Sequence, residues 1–134
     1  MTCYHSQVQK LQQQLYPKDY LTKQVIQAKH FIDNNFAEPI DLSAIAANAF
    51  LSKFYFTRLF KSMYGSTPHQ YLIAVRIKQA KQLLFTKKDI AAVCTAVGFE
   101  SITSFTGLFK KITGITPALY KRKKQFSRTN YVRY

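Results

Sequence analysis

The stretch Phe56-Thr-Arg-Leu-Phe-Lys-Ser-Met-Tyr-Gly-Ser-Thr-Pro-His-Gln-Tyr71 returns 49 residues later as Phe105-Thr-Gly-Leu-Phe-Lys-Lys-Ile-Thr-Gly-Ile-Thr-Pro-Ala-Leu-Tyr120. Nine of the sixteen aligned positions are identical. Two copies are too few for a solenoid, in which about three or more stacked units are needed to bury a continuous core. The repeat therefore predicts a duplicated supersecondary unit.

Each copy has the start and stop signals of two helices joined by a tight turn. A short run with apolar residues at helical spacing follows an aspartate, and a serine after the break can cap a second helix. The four predicted caps are Asp41, Ser52, Asp89 and Ser101. Glycine is expected to close each second helix, and Thr-Pro to begin the next one. This order predicts a helix-turn-helix unit in each copy.

Helical spacing sorts the second helix of each unit into two faces. The residues expected to face the core are Phe56, Leu59, Phe60 and Met63 in the first copy and Phe105, Leu108, Phe109 and Ile112 in the second. The opposite faces carry Lys53, Phe54, Thr57, Arg58 and Lys61, and then Ile102, Thr103, Thr106, Gly107 and Lys110. A polar and basic face on the helix after the turn is what a reader of the DNA major groove requires.

The rest of the chain is predicted to connect and flank these units. Residues 68–85 mix apolar side chains with Arg76, Lys78 and Lys81, and predict one amphipathic helix about 27 Å long. That length suits two reading helices in successive major grooves, about 34 Å apart. The predicted organisation is a linker or loose helix at 1–20, a first subdomain at 21–67, a linker helix at 68–87, a second subdomain at 88–124 and a basic tail at 125–134, with a DNA-grazing arm as the alternative for the tail.

The charge distribution favours a polyanionic partner. The formal net charge is +14, and residues 1–41 contribute four lysines and four acids, so the whole excess falls on 42–134. Asp89 and Glu100 are the only acids of that region. Solubility alone is the alternative, but small domains usually achieve it with a net charge of about 2 to 8. Double-stranded DNA is therefore the favoured partner.

Other function classes find little support in the sequence. Cys3 and Cys94 are far apart, and the polar start of the chain lacks a leader-like apolar stretch, so a reducing, cytoplasmic location is expected. No apolar run approaches the roughly twenty residues of a membrane span. His5, His30 and His69 have no spacing that suits a metal, and no catalytic constellation can be drawn from six acids. We expect no enzyme activity, cofactor, metal or membrane partner.

The chain resembles the AraC/XylS-type transcription regulators over about residues 22–122. The resemblance rests on Leu42-Ser-Ala-Ile-Ala-Ala47, Leu51-Ser52 with Tyr55-Phe-Thr-Arg-Leu-Phe-Lys61, Gly65-Ser-Thr-Pro68, and Tyr71-Leu72 with Arg76, Ala80, Leu83 and Leu84. The second half adds Val97-Gly-Phe-Glu-Ser101, Phe105, Leu108-Phe-Lys-Lys111, Gly114-Ile-Thr-Pro117 and Tyr120. Two copies at this spacing are far more specific than a lone helix-turn-helix pattern.

The resemblance implies an all-α domain of seven helices, with two helix-turn-helix subdomains joined by a long linker helix. It also implies a cytoplasmic, bacterial and nucleoid-associated regulator of transcription that works with RNA polymerase, either complete or as the output part of a protein with an N-terminal sensor domain. Carried over residue by residue, base contacts fall on Phe54, Thr57, Arg58, Ile102, Thr103 and Thr106. Packing of the Phe54 ring on its own helix, and a solvated charge or an internal salt bridge for Arg58, are the alternatives. Phosphate contacts fall on Ser52, Lys53, Lys61, Ser101, Lys110 and Lys111.

Two positions depart from the family pattern. Gly107 stands where the second reading helix usually carries arginine, so one charged contact is missing and the helix loses about 1 kcal/mol of intrinsic propensity. We therefore expect the second unit to read fewer bases. Phe50 stands at the first turn, where the family often has a small residue, and its ring is a candidate for the core.

The sequence leaves two other classes of function open. The charge alone would permit an architectural or RNA-directed nucleic-acid binder, which would discriminate little between sequences. A regulator should prefer its site over random DNA by about a thousandfold or more. A basic module for acidic proteins or membranes is the third class, and liposome binding without DNA binding would support it.

Overall fold

Seven α-helices and no strand make up the part of the chain that the computed structural model describes, residues 18–86 and 89–132, with side chains up to Lys124. They are α1 (Lys18–Asn35), α2 (Leu42–Asn48), α3 (Lys53–Tyr64), α4 (Pro68–Leu83), α5 (Ile90–Ala96), α6 (Ile102–Thr113) and α7 (Pro117–Val132). The expected all-α class with seven helices is confirmed. Of the predicted terminal segments, 1–17 and 133–134 lie outside the described residues, and α7 runs to Val132 through most of the predicted basic tail.

Side-chain caps start four of these helices, as the sequence predicts. An oxygen of the cap accepts a hydrogen bond from the backbone N–H three residues on, which satisfies one of the unpaired donors at a helix start. The bonds join Asp41 to Ala44 (2.8 Å), Ser52 to Tyr55 (3.3 Å), Asp89 to Ala92 (2.6 Å) and Ser101 to Ser104 (3.1 Å). Gly65 and Gly114 end α3 and α6 with φ of 79° and 88°, as expected for left-handed glycine caps.

The chain divides into two compact units. Unit 1 contains α1, α2, α3 and the start of α4 up to Leu72, and unit 2 contains residues 36–39, the rest of α4 and α5 to α7. Buried side chains of unit 1 are Leu21, Val25, Ala28, Ile32, Ile45, Ala46, Ala49, Leu51, Tyr55, Phe56, Phe60 and Leu72. Those of unit 2 include Ile77, Ala80, Leu84, Val93, Cys94, Val97, Phe99, Phe105 and Phe109. Each unit therefore has its own apolar core around the two helices of one helix-turn-helix element.

A polar cluster joins α1 to α4 inside unit 1. The Tyr71 hydroxyl donates to Asp33 Oδ1, and Lys29 Nζ lies 3.3 Å from Asp33 Oδ2 and 5.4 Å from the centre of the Tyr71 ring. Burial raises the pKa of Tyr71 above its ordinary value, and the bond to Asp33 acts in the same direction. The neutral, donating form of Tyr71 is thus favoured, which keeps the two helices linked.

Arg76 is a buried charged residue of unit 2, with 9% of its surface exposed. Its Nε donates to the carbonyl oxygen of Phe36 (2.7 Å) and its Nη2 to that of Glu38 (2.9 Å). Its guanidinium also lies 5.7 Å from the centre of the Phe99 ring. Burial lowers the pKa of Arg76, and the charge of nearby Glu100 opposes that shift. Arg76 thereby secures residues 36–39 within unit 2.

Candidate nucleic-acid interface

The turn before the reading helix differs in length between the two units. The short helices α2 and α5 and their aspartate caps are 48 residues apart, whereas α3 and α6 and their serine caps are 49 apart. Glu100 is the additional residue, because it stands between Phe99 and the Ser101 cap, where the first unit passes directly from Leu51 to Ser52. The duplicated helices are therefore equal in length, while the turns are not.

Both turns pass through a left-handed backbone conformation at the same point. Phe50 has φ of 58°, and its equivalent 48 residues on, Gly98, has φ of 95°. Gly98 lies so close to residues 36–37 that an added Cβ would be 2.9 Å from the carbonyl oxygens of Phe36 and Ala37. The Phe50 side chain is 75% exposed, so the expectation that its ring could belong to the core is wrong.

The reading face of α3 is basic and open to solvent. Lys53, Phe54, Arg58 and Lys61 are exposed and Thr57 is half-buried, with 58% of the Phe54 surface accessible. The Thr57 hydroxyl donates to the Lys53 carbonyl (2.7 Å). Its hydrogen is thus engaged within the helix, and Thr57 presents its methyl group and an acceptor lone pair outward.

The reading face of α6 has the same arrangement with a different composition. Ile102, Thr103, Gly107 and Lys110 are exposed and Thr106 is half-buried, with 50% of the Ile102 surface accessible. Gly107 has open space where a Cβ would be. The predicted contact residues are thus accessible on both helices.

The core-facing sides of α3 and α6 agree with the prediction at their centres. Phe56, Phe60, Phe105 and Phe109 are fully buried. Leu59, Met63 and Leu108 are half-buried, and the first two line a cavity of about 390 Å³ together with Leu21 of α1. Ile112 is 48% exposed, so its predicted inward position is wrong. It lies in the last turn of α6, where helical spacing gives a direction but does not show whether a neighbouring helix extends that far.

Sequence reasoning missed Tyr55 as a core residue. It is 5% exposed, although it lies only one residue from Phe54 on the open face. It packs with Leu59 and Met63 around the same cavity. Its position at 100° from Phe56 on the helix was a usable signal, since it widens the apolar stripe of α3.

The predicted phosphate partners have the exposure and charge that this role needs. Lys53, Lys61, Lys110 and Lys111 are exposed, and neither reading helix contains an acidic residue. The hydroxyl oxygens of Ser52 and Ser101 accept backbone bonds as caps, which leaves each hydroxyl hydrogen able to donate to a phosphate oxygen. The amino end of each helix also attracts anions through its dipole.

Metal binding and membrane insertion are two other properties that residues 18–86 and 89–132 could carry. His, Cys, Asp and Glu side chains form no group of three or more there that could hold a metal ion. No helix in those ranges has the length and apolar character needed to cross a bilayer.

Comparison with known proteins agrees with this geometry. A model of a helix-turn-helix domain family matches residues 45–123. The TetD protein of transposon Tn10 from Escherichia coli is 39% identical over 95 residues, which are 70% of this chain and 69% of that protein. The chain spans between 28% and 55% of the length of several other curated relatives, most of them transcriptional regulators.

Two solved structures show the same fold. The DNA-binding domain of AdpA, a global transcriptional factor crystallised in complex with a target DNA, superposes with a TM-score of 0.76 and 31% identity over 78% of this chain and 96% of that one. A transcriptional regulator with an AraC-type DNA-binding domain from Chromobacterium violaceum gives a TM-score of 0.70 and 29% identity over 76% of this chain and 92% of that one.

Proposed function

Because this chain belongs to the AraC-type family of helix-turn-helix DNA-binding domains, we propose that it recognises a specific double-stranded DNA site and regulates transcription from it. In this proposal α3 and α6 enter successive major grooves. Phe54, Thr57 and Arg58 contact bases from the first helix, and Ile102, Thr103 and Thr106 from the second.

One observation carries the proposal. The chain has two twelve-residue helices, and each begins after a serine cap and ends at a left-handed glycine. Each helix buries two phenylalanines in a core and exposes its opposite face to solvent. A helix that follows a tight turn and exposes side chains near its amino end can reach base edges in the major groove. A single helix of this kind would support DNA binding only weakly. Two such helices in one chain allow the chain to bind two half-sites of one DNA site.

The two kinds of contact have different tasks. Lysine contacts with phosphates supply affinity that depends on salt but carries no sequence information. Arg58 differs from them because an arginine can donate two hydrogen bonds to O6 and N7 of one guanine, which distinguishes that base from the other three. Arg58 is exposed on the same face as Thr57, one residue further along the helix.

Binding-site selection on random duplex DNA tests the proposal. We expect one enriched bipartite site, bound at least about a thousandfold more tightly than random duplex at the same salt concentration. Recovery of no preferred sequence, with similar affinity for all duplexes or for RNA, would show an architectural binder instead. Binding to anionic liposomes without DNA binding would support a membrane module.

Two variants of α3 separate base reading from phosphate contact. Arg58→Ala should weaken the selected site by about 1 to 3 kcal/mol and relax preference at one position. Lys61→Ala should lower affinity similarly on all sequences and reduce the slope of log K against log salt by about 1. Equal losses on selected and random DNA for both variants would contradict the assignment of Arg58.

The wider role of this domain concerns its partners and its location in the cell. We propose that the DNA-bound domain acts on RNA polymerase and that it is the output part of a regulator with an N-terminal sensor domain, the alternative being a regulator that is complete in itself. We further propose a cytoplasmic, nucleoid-associated location, with no enzyme activity for this domain. Co-purification of RNA polymerase with the protein on its selected site, compared with a scrambled site, tests the first of these.

A further inference from the structure

The two reading faces are built alike but differ in chemistry. Each consists of five positions that correspond at an offset of 49 residues. The α3 face carries three cationic side chains, Lys53, Arg58 and Lys61. At the equivalent positions α6 has Ile102, Gly107 and Lys110, so two of the three charges are absent.

What remains on the first two turns of the α6 face is methyl-rich. Ile102 is 50% exposed at the first position of the helix, and the two threonines beside it each add a methyl group. No guanidinium or amide is present among these residues to read guanine or adenine through paired hydrogen bonds. The base feature in the major groove that suits apolar side chains is the C5 methyl group of thymine.

Gly107 leaves the middle of this face without a projecting side chain. It is exposed in the middle of α6, where glycine costs helix stability, and nothing lies within 4 Å of an added Cβ. The absence of a side chain there lets the backbone of α6 approach the base edges closely, which short side chains such as threonine need in order to touch them.

We propose that α6 reads its half-site through thymine methyl groups, whereas α3 reads through the hydrogen bonds of Arg58. This inference rests on the proposed function and adds the class of sequence recognised. The half-site bound by α6 should be rich in thymine at the bases nearest Ile102, Thr103 and Thr106. The half-site bound by α3 should contain a guanine opposite Arg58.

Deoxyuridine replacement tests the proposal directly, because it removes only the C5 methyl and keeps every hydrogen-bonding group of thymine. The site comes from selection on random duplex DNA, and the half whose preference changes in Arg58→Ala is assigned to α3. Each thymine in the other half is then replaced singly. At one or two positions we expect about a fourfold loss of affinity, the effect of withdrawing one buried methyl-sized group.

A matched pair of variants assigns the effect to the reading face. Ile102→Ala should reduce the penalty of at least one deoxyuridine replacement to less than about twofold, since the contact is already lost. Ile112→Ala is the control, because Ile112 has nearly the same exposure, 48% against 50%, and lies about 150° around the helix from the centre of the five-residue reading face. It should leave every deoxyuridine penalty unchanged.

A gain-of-function variant gives a second readout. Gly107→Arg fits the open space and restores the side chain found at Arg58, so selection with this variant should enrich guanine in the α6 half-site. Unchanged enrichment would show that position 107 does not face bases, and would overturn the proposal.

The outcomes also separate this inference from the proposed function. An enriched site whose α6 half lacks thymine, or tolerates all deoxyuridine replacements within about twofold, overturns the thymine reading and leaves sequence-specific binding intact. Selection that enriches no sequence overturns both.

Discussion

Gly98 should be the glycine whose replacement costs the most stability, for two separable reasons. Its φ of 95° is a conformation that side chains rarely adopt, which costs about 1 to 2 kcal/mol. A methyl group would also lie 2.9 Å from two backbone carbonyl oxygens, where an ordinary contact is 3.4 to 4 Å. Relieving such overpacking costs typically about 1 to 3 kcal/mol. We therefore expect Gly98→Ala to reduce the free energy of unfolding by about 2 to 5 kcal/mol.

The contact should extend the damage beyond the turn itself. One of the two crowded oxygens, that of Phe36, also accepts the 2.7 Å hydrogen bond from Arg76 Nε. Moving this carbonyl away from a new Cβ therefore strains the bond that secures residues 36–39. Hydrogen exchange at the amides of α5 and α6 should accelerate in the variant, because these helices pack in the same core.

Other glycines of the chain supply the controls. Gly114 has a similar φ of 88° but nothing within 4 Å of an added Cβ, so Gly114→Ala should show the conformational cost alone. Gly107→Ala, in an open helical position, should stabilise by about 1 kcal/mol. Urea unfolding followed by circular dichroism measures all three. Equal midpoints for Gly98→Ala and Gly114→Ala would refute the argument that the approach to residues 36–37 matters.

Three further predictions concern caps, the buried arginine and the first turn. Ser101→Ala should cost about 1 kcal/mol in urea unfolding and Ser101→Asp should restore it, because aspartate also caps; failure of the restoration would contradict the capping role. Arg76→Met should cost about 2 to 3 kcal/mol, since two carbonyl oxygens lose a charged donor, and a cost under about 0.5 kcal/mol would contradict that role. Phe50→Gly should stabilise the protein by up to about 1 kcal/mol, because relief of the left-handed strain exceeds the entropy that glycine adds to the unfolded chain. The melting temperature should therefore rise, and a lower melting temperature would show that the Phe50 ring contributes packing.

Local signals along the chain were enough to predict the elements of this fold. Asp41, Ser52, Asp89 and Ser101 are caps because a short polar side chain precedes each apolar helical run, and that requirement is visible in the sequence alone. Which residues lie on the open face of each reading helix also followed from spacing, because the buried phenylalanines fix the rotation of the helix. The assignment of individual residues to bases and phosphates stays a prediction.

Features that depend on neighbouring elements could not be predicted in this way. The exposure of Ile112 depends on where the surrounding helices end, and the burial of Arg76 depends on carbonyl groups about forty residues earlier in the chain. The left-handed conformation of Phe50 conflicts with the preference of that residue type, so only the fold reveals it. Self-alignment at a single offset also concealed Glu100, since the offset changes from 48 to 49 inside the turn.

The change of offset from 48 to 49 divides each copy of the repeat into a segment that can be exchanged between the two units and a turn that cannot. A segment running from the serine cap to the closing glycine, 52–65 or 101–114, has the same length and the same pair of inward phenylalanines in both places. We therefore expect the segment to be exchangeable, and a chain with the 52–65 segment in both places should fold and read the same bases in both half-sites. In the second place Tyr55, which is buried in unit 1, would occupy the exposed position of Ser104. The loops in front of the segments are fitted to their own surroundings and would have to stay behind.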